Sequence, residues 1–272
     1  MCLILFAHEA HPGYRLILAA NRDEHFSRAT APARFWEDAP ALLGGRDLDK
    51  GGTWLGITRS GRFAALTNYR GASPPADGRS RGAIVTDFLH ADVPPEAFIV
   101  ALAANAGQYA GFSLLAGDRN GLRYYSNHDA AAPSGRGLDP GVHGLSNHLL
   151  NTPWPKVERG RQALAASLAQ PAEAREQALL QALRDRVPPP DEALPPGSAS
   201  FAPDDASPPA RAPLAFERAL AAPFIHAPER DYGTRCSTLV TVGHDGAVTF
   251  VERTWDRSAQ ATGTVRHHFA LV

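Results

Sequence analysis

The chain has 272 residues and a formal net charge of −1 at pH 7, so it is long enough to bury a large core and to form one domain over residues 1–272. The near-neutral charge argues against nucleic acid or an anionic membrane as the main partner. No run approaches eighteen apolar residues, and no basic stretch precedes the short apolar start, so we expect neither a transmembrane helix nor a signal peptide. The two cysteines show no metal-ligand spacing, which is typical of a reduced, cytoplasmic protein.

Cys2 is the first residue that suggests a chemistry. It follows Met1 and opens the apolar run at residues 3–6, which is typical of a buried strand. Because aminopeptidases remove Met1 before a small residue, Cys2 would carry a thiol of pKa about 8.5 and a free α-amine of pKa about 7.7–8.0. One residue could then supply a nucleophile and its own general base. The alternative interpretation is a small apolar strand residue without chemistry.

A second apolar run, at residues 15–20, follows a Pro-Gly turn signal and predicts a hairpin with the first run. The near-continuous apolar character of both runs indicates burial on both faces. The second run ends in the polar tetrad at residues 21–24, which would lie beside Cys2 across the pair. Buried polar groups at a strand end are costly unless they are paired or line a pocket. The alternative is an ordinary polar exit from strand to loop.

The middle of the chain mixes helices and strands. Helices are predicted at about residues 80–91 and 94–106, and strands at 112–116 and 121–126 across the turn at residues 118–121. The two Gly-Gly pairs, in Gly44-Gly45-Arg46 and Gly51-Gly52-Thr53, predict tight turns that line a pocket.

The later part of the chain predicts two helices within residues 155–186, broken near Pro171. Residues 188–213 contain nine prolines and predict a long loop inside the domain. Three strands are then predicted, at residues 236–243, 246–254 and 263–271. Strands at both ends of the chain with helices between them predict an α+β fold. We expect Cys236 to be a buried, unreactive thiol on the first of these strands, with no disulfide to Cys2.

Other site chemistries are weaker. His8 and His11 are three residues apart on a turn, and His267 and His268 point to opposite faces of a strand, so we expect no metal site. The aromatic residues Trp54, Tyr69 and Trp154 could wall an apolar ligand, although such residues are more often part of a core.

Five stretches together resemble one known family. They are Asn21-Arg22-Asp23-Glu24, Gly51-Gly52-Thr53-Trp54-Leu55-Gly56, Leu66-Thr67-Asn68-Tyr69-Arg70, residues 144–157 with Ser146-Asn147-His148 and Trp154, and Tyr232-Gly233-Thr234-Arg235. The first stretch is the tetrad after which the NRDE family, also called the transport and Golgi organisation family, is named. The family in turn is similar to the N-terminal-nucleophile hydrolases of the penicillin V acylase and bile-salt hydrolase branch. This resemblance implies an αββα sandwich of two antiparallel sheets.

The resemblance also implies a set of catalytic residues, namely Cys2, Arg22, Asp23, Asn68, Asn147 and Arg235. Cys2 Sγ would attack an amide or thioester carbonyl while its α-amine moves the proton. Asn68 or Asn147 would stabilise the oxyanion, and the two arginines would lower the thiol pKa or hold a substrate carboxylate. Asp23 would hold the ammonium. Further residues are predicted to bind substrate: Asn21, Glu24, Trp54, Tyr69, His148 and Trp154.

The tetrad departs from the acylases in one respect. Their Arg and Asp are three residues apart, whereas Arg22 and Asp23 are adjacent and should point to opposite faces of a strand. We therefore expect one of the two to face Cys2, with Asn21 or Glu24 in the other position. The Cys2 thiol should face a cleft shared with Arg235 and at least one of Asn68 and Asn147.

A carrier is the competing class of function. The resembled family is associated with haem trafficking and lipid metabolism, so the same pocket could carry haem or an acyl-CoA without turning it over. No cofactor is required by either interpretation. The expected partner is a small acyl, lipid or haem molecule, with no nucleic acid and no integral membrane contact.

Overall fold

The computed structural model describes residues 2–71, 75, 78–195 and 213–272. Its strands are, in chain order, β1 (Cys2–His11), β2 (Tyr14–His25), β3 (Thr30–Phe35), β4 (Leu42–Asp47), β5 (Leu55–Thr58), β6 (Phe63–Asn68), β7 (Phe112–Asp118), β8 (Gly121–Ser126), β9 (Arg136–Gly137), β10 (Gly141–Leu145), β11 (His226–Ala227), β12 (Tyr232–Gly243), β13 (Ala247–Trp255) and β14 (Ala261–Ala270). The α-helices are α1 (Arg81–His90), α2 (Pro95–Ala103), α3 (Pro155–Ser167), α4 (Ala172–Leu183) and α5 (Leu214–Ala221).

The described strands form two antiparallel sheets. The first sheet has the order β10-β1-β2-β12-β13-β14, with β11 added beside β12, and the second has the order β3-β4-β5-β6-β7-β8-β9. The first sheet thus combines the two ends of the chain, since β2 pairs with β1 on one side and with β12 on the other. The N-terminal hairpin and the three C-terminal strands predicted from the sequence are confirmed, although β12 begins at Tyr232.

The alternation of apolar residues along β1 explains how the layers pack. Ile4 and Phe6 point into the core between the sheets, where they meet residues such as Leu43 and Phe63. Leu3 and Leu5 point the other way, and Leu5 packs against α3. Strand residues alternate between faces, so Cys2 shares the inner face with Ile4.

Helices cover both outer faces. On the first sheet, α3 and α4 pack through apolar side chains that include Val157, Leu164 and Leu179. On the second sheet, α1 and α2 pack through side chains that include Phe88 and Ile99. The order of layers is helix, sheet, sheet, helix, which confirms the expected αββα sandwich. Within the described ranges, no helix is long and apolar enough to cross a membrane.

Two local predictions fare differently. Gly44 and Gly45 do not form a tight turn, which corrects that prediction, because both lie within β4. A Cβ at Gly44 would lie 2.7 Å from the carbonyl oxygen of Leu55, so the glycine permits close strand pairing rather than a turn. The predicted proline-rich loop at residues 188–213 lies mostly outside the described residues.

Candidate active site

A cavity of about 810 Å³ opens between the two sheets at the end where β1 begins. Its lining comes from the ends of β1, β2 and β12, from β3, β4, β6, β13 and β14, and from the N-terminal end of α1. A cavity of this volume lies within the range of about 300–1,000 Å³ that is usual for small-molecule sites. Cys2 lies at its inner end.

Cys2 is held by contacts on three sides. It faces Arg22 of β2 across the strand pair, its carbonyl oxygen accepts a hydrogen bond of 2.9 Å from Ser146 Oγ, and its thiol receives a hydrogen bond from the backbone of Asp23. The residue is only 8% exposed. Burial and the Asp23 carboxylate raise the pKa of the Cys2 thiol, although the terminal ammonium, the Asp23 backbone and the Arg22 charge act in the opposite direction. At neutral pH the resting group is therefore a thiol that needs a base.

Both Arg22 and Asp23 line the cavity, although the two belong to opposite faces of β2, as adjacent strand residues should. Arg22 lies on the inner face, where it is the register partner of both Cys2 and Cys236. Asp23 belongs to the opposite face, but it lies one residue beyond the Cys2 pair, at the open end of β1. The adjacent residues therefore approach Cys2 from two different sides.

Asp23 has a buried carboxylate with defined partners. Its Oδ1 accepts a hydrogen bond of 2.6 Å from Thr234 Oγ1, and its carbonyl oxygen accepts one of 2.9 Å from the Tyr232 hydroxyl. Burial raises the pKa of Asp23 to about 6, against the opposing charges of Lys156 and Arg22. A carboxyl group with this pKa is ionised at neutral pH and titrates just below it.

Glu24 lies on the inner face with Arg22 and lines the cavity. Its Oε2 is 3.9 Å from Arg22 Nη2 and 3.8 Å from Arg28 Nη1. Burial works against the charge of Glu24, but the terminal ammonium, Arg22 and Arg28 together outweigh it and lower the pKa of the carboxyl. Glu24 therefore neutralises part of the positive charge near Cys2.

Asn21 does not line the cavity, which corrects its assignment to substrate binding. Its amide nitrogen donates to the carbonyl oxygens of Leu183 at 2.8 Å and Pro223 at 2.9 Å, and its Oδ1 accepts from Ser237 Oγ at 2.6 Å. These contacts lie on the helical side of the first sheet. Asn21 therefore joins β2 to α4 and to the segment before β11.

The two candidate oxyanion residues have different positions. Asn68, at the end of β6, lines the cavity, whereas Asn147 does not. Asn147 contacts Asn68 from outside the cavity, since its Nδ2 donates to the Asn68 carbonyl oxygen at 3.1 Å. It adopts a φ of 54°, in the left-handed region that asparagine tolerates better than most residues.

Arg235 lines the cavity, but its guanidinium is engaged by the backbone. It lies at a β-bulge of β12 and has no register partner on β2. Its Nη1 donates to the carbonyl oxygens of His25 at 2.6 Å, Phe26 at 3.3 Å and Arg28 at 3.0 Å. Arg235 therefore fixes the backbone at the end of β2 and in the loop that follows.

Of the predicted aromatic and histidine binders, only Trp54 lines the cavity. Tyr69, His148 and Trp154 form a cluster outside it, so their assignment to substrate binding is corrected. The Tyr69 hydroxyl and His148 Nε2 are 2.9 Å apart, and the His148 and Trp154 rings are 5.6 Å apart. Apolar stacking holds this group against the start of α3.

Sequence reasoning did not assign the buried residues Lys156 and Glu252, and it predicted Cys236 as a buried thiol without placing it in the cavity. Glu252 lies on the inner face of β13, where its Oε1 accepts a hydrogen bond of 2.7 Å from the Ala33 amide and where burial raises the pKa of its carboxyl. Burial and the neighbouring Glu252 raise the pKa of the Cys236 thiol well above its usual range. The signal for Glu252 was a single acidic residue at an inward position of an apolar strand.

Among the described residues that line the cavity, positive side chains outnumber negative ones. Seven of these residues are basic: Arg22, Arg28, Arg46, Lys50, Arg79, Arg81 and Arg235. Four are acidic: Asp23, Glu24, Asp47 and Glu252. Several of the arginines are neutralised by carboxylates, such as Arg28 by Asp47 at 2.6 Å. In the described part of the chain Arg81 forms no ion pair, and its Nη1 donates to the Gly111 carbonyl oxygen at 3.1 Å.

The fold and the site define a class: an αββα sandwich with a cysteine at the start of a central strand, open to a polar cavity. The chain belongs to the transport and Golgi organisation 2 family, whose model matches residues 1–257. The homologs named transport and Golgi organization protein 2 from Bos taurus and Homo sapiens are each 36% identical over 289 residues, which covers all of this chain and 99% of each relative. The Drosophila melanogaster protein is 31% identical over 277 residues, covering 93% of this chain and 92% of that protein.

Solved structures of two hydrolases are also similar. One is a Caenorhabditis elegans ortholog of N-acylethanolamine-hydrolyzing acid amidase, with a TM-score of 0.40 and 14% identity over 67% of this chain and 86% of that one. The other is the C2A mutant of the conjugated bile acid hydrolase from Clostridium perfringens, with a TM-score of 0.43 and 8% identity over 100% of this chain and 92% of that one.

Proposed function

We propose that the protein is a cysteine acyl hydrolase that cleaves amide or thioester bonds with Cys2. The observation that carries the proposal is that Cys2 lines the cavity, with Arg22 opposite it and the backbone of Asp23 hydrogen-bonded to its thiol. A nucleophile that is buried, oriented and flanked by charged groups is what such chemistry requires.

The mechanism begins with removal of Met1, which turns the backbone nitrogen of Cys2 into an α-amine. The neutral amine takes the Sγ proton, and the thiolate adds to the substrate carbonyl. The raised pKa of the buried thiol makes this internal base necessary, because little thiolate is present at rest. Asn68 lies in the cavity wall and would donate to the oxyanion of the tetrahedral intermediate.

Collapse of that intermediate breaks the carbon–nitrogen or carbon–sulfur bond, and the leaving group takes the proton from the α-ammonium. The acyl group is then a thioester on Cys2. A water molecule, deprotonated by the same amine, hydrolyses it and regenerates the thiol. The excess of basic residues in the cavity favours an acyl substrate that carries negative charge.

The experiment combines processing and turnover. Intact mass of the purified protein should show the loss of Met1. A panel of amide and thioester acyl substrates should reveal turnover that Cys2→Ser reduces by orders of magnitude while ligand binding is nearly unchanged. Cys236→Ser is the matched control and should retain turnover. Retained Met1, or turnover unaffected by Cys2→Ser, would reject the hydrolase.

A carrier of an anionic ligand, such as haem or an acyl-CoA, is the second candidate. The volume of the cavity and its seven basic residues support this function as well, and it needs no reactive thiol. Tight binding of haem or a long-chain acyl-CoA, unaffected by Cys2→Ser and without turnover, would favour the carrier.

We further propose that the chain is a single cytoplasmic domain. Both cysteines are free thiols, which suits a reducing compartment. Localisation of the tagged protein in fractionated cells tests the compartment, and a single cooperative unfolding transition tests the domain.

A further inference from the structure

Lys156 is a buried lysine that the mechanism above does not use. It is the second residue of α3 and is only 2% exposed, although lysines are almost never fully buried without a partner. Its Nζ donates to the carbonyl oxygen of Leu220 in the last turn of α5, at 3.0 Å. A single neutral carbonyl compensates poorly for burying an ammonium group, so a second electrostatic partner is expected.

Asp23 is the carboxylate that acts on Lys156, through the buried interior rather than through a direct ion pair. Lys156 lies on the helical side of the first sheet, and the Asp23 side chain belongs to the same side of β2. Among the charges that favour its ammonium, Asp23 acts most strongly and Cys2 less so, while Arg70 acts against it. Burial nevertheless lowers the pKa of Lys156 to about 8.

The other charged groups around the pair are accounted for. Arg70, after β6, is paired with Glu217 of α5. The terminal ammonium favours the charge of Asp23 more strongly than Lys156 does, and Arg22 favours it from β2. From β12, the Tyr232 hydroxyl donates to the Asp23 carbonyl oxygen and Thr234 donates to its carboxylate. Lys156 is thus the ammonium that faces Asp23 from the helical layer.

The geometry of the hairpin shows why the charge of Asp23 matters. Cys2 pairs with Arg22 in antiparallel register, so the backbone nitrogen of Cys2 lies on the side of that pair toward Asp23. We propose that Lys156 is a positioning residue, whose buried ammonium keeps Asp23 ionised so that this carboxylate can orient the α-amine of Cys2. This assignment rests on the proposed hydrolase function for its purpose, but the Lys156–Asp23 pair can be tested without activity.

The chain is suited to a direct test because it contains only two lysines. Protein labelled with ¹³C at lysine Cε should give two titrating signals in NMR spectra. Lys50 is exposed, so its signal serves as the internal reference. Lys156 should titrate at about 8, and Lys156→Met assigns its signal by removing it.

Two variants then measure the same interaction from both ends. In Asp23→Asn the midpoint of Lys156 should fall by about one pH unit or more, because the carboxylate that favours the ammonium is lost. In Lys156→Met the midpoint of Asp23, followed by ¹³C-labelled aspartate, should rise from about 6 by a similar amount. Linkage requires the two shifts to be equal for an isolated pair. Lys50→Met is the matched control and should leave Asp23 unchanged.

An unchanged Lys156 midpoint in Asp23→Asn would overturn the proposal, and would leave Lys156 as a cap on the last turn of α5. The titration of Lys156 in Asp23→Asn does not require that a Lys156 variant folds. In a turnover assay, the acid limb of the kcat–pH profile should move to higher pH in Lys156→Met. A structural defect would instead lower kcat at every pH. Coupled midpoints without any turnover would reject the hydrolase only, and turnover with uncoupled midpoints would reject the role of Lys156 only.

Discussion

Cys2 and Cys236 open into one cavity from the two sides of Arg22, which is the register partner of both. Their strands, β1 and β12, are separated by β2, so the two Cα atoms are about 10 Å apart at the usual strand spacing. This distance exceeds the reach of a disulfide, and both thiols are free. Their surroundings differ. The Cys2 thiol is hydrogen-bonded to the Asp23 backbone, and the Cys236 thiol is hydrogen-bonded to the carboxyl of Glu252.

This difference predicts selective alkylation. Iodoacetamide at neutral pH should modify Cys2 well before Cys236. Burial and Glu252 raise the pKa of Cys236 well above its usual range, whereas at Cys2 the Asp23 backbone and Arg22 partly offset burial and the Asp23 carboxylate. Peptide mass mapping over time measures both rates. Equal rates would contradict an activated Cys2.

Glu252→Gln provides the internal check on that explanation. Removal of the negative charge should lower the pKa of Cys236 and speed its alkylation, while the rate at Cys2 changes little. The amide still offers an oxygen to the Ala33 backbone, which keeps the contact to β3. An unaltered Cys236 rate would show that burial alone protects this thiol.

The raised pKa of Asp23 predicts a pH dependence of stability. Since its folded value of about 6 lies above the ordinary 3.8, the protonated form is favoured in the fold. The contribution to stability is present below about pH 3.8 and is lost as the pH rises toward 6, by at most about 1.4 kcal/mol per pH unit. Urea unfolding at pH 4 and pH 6 should show a smaller fall in the unfolding free energy for Asp23→Asn than for the wild type. An identical fall in both proteins would contradict the assignment.

The sequence was a good guide to the first sheet and a poor one to the details of the site. The hairpin of β1 and β2 was predictable because both strands are apolar on both faces and are separated by a Pro-Gly turn. Strands β3 to β6 were not predicted, since glycines such as Gly44 interrupt the apolar pattern and suggest turns.

The positions of individual side chains depended on features that no pattern encodes. Asp23 reaches the cavity only because β1 begins at Cys2, and Arg235 is turned toward a loop by a bulge in β12. Asn21 faces the helices because strand residues alternate, which the sequence did indicate. Lys156 looked like an ordinary helix residue, and its burial follows from the packing of α3 and α5.

Arg235 is predicted to act on stability more than on ligand affinity. Arg235→Met removes a guanidinium that donates to three backbone carbonyl groups, one at the end of β2 and two in the loop after it. A loss of about 1.5–3 kcal/mol in the free energy of unfolding is expected, as for hydrogen bonds to a charged group. Chemical denaturation measures it. A variant of full stability with greatly weakened ligand binding would instead favour direct contact between Arg235 and the ligand.

Arg81 is predicted to act on ligand affinity more than on stability. It begins α1, lines the cavity, and its only hydrogen bond in the described structure is to the Gly111 carbonyl oxygen. Its charge interacts with Glu24 and Cys2, which places it toward the reactive end. An arginine that pairs with a ligand anion in a partly dry cavity contributes roughly 1.5–3 kcal/mol, so Arg81→Met should weaken binding of a long-chain acyl-CoA about tenfold or more.

Arg79→Met is the matched control, because Arg79 lines the outer part of the same cavity, is half exposed and is paired with Asp87 at 3.6 Å. Calorimetry at two salt concentrations should show a large loss of affinity for Arg81→Met and a small one for Arg79→Met, with the wild-type affinity falling as salt rises. Unfolding free energies should stay within about 0.5 kcal/mol of the wild type in both variants. Equal losses of affinity would mean that the cavity attracts anions through its overall charge, and that Arg81 makes no specific contact with the ligand.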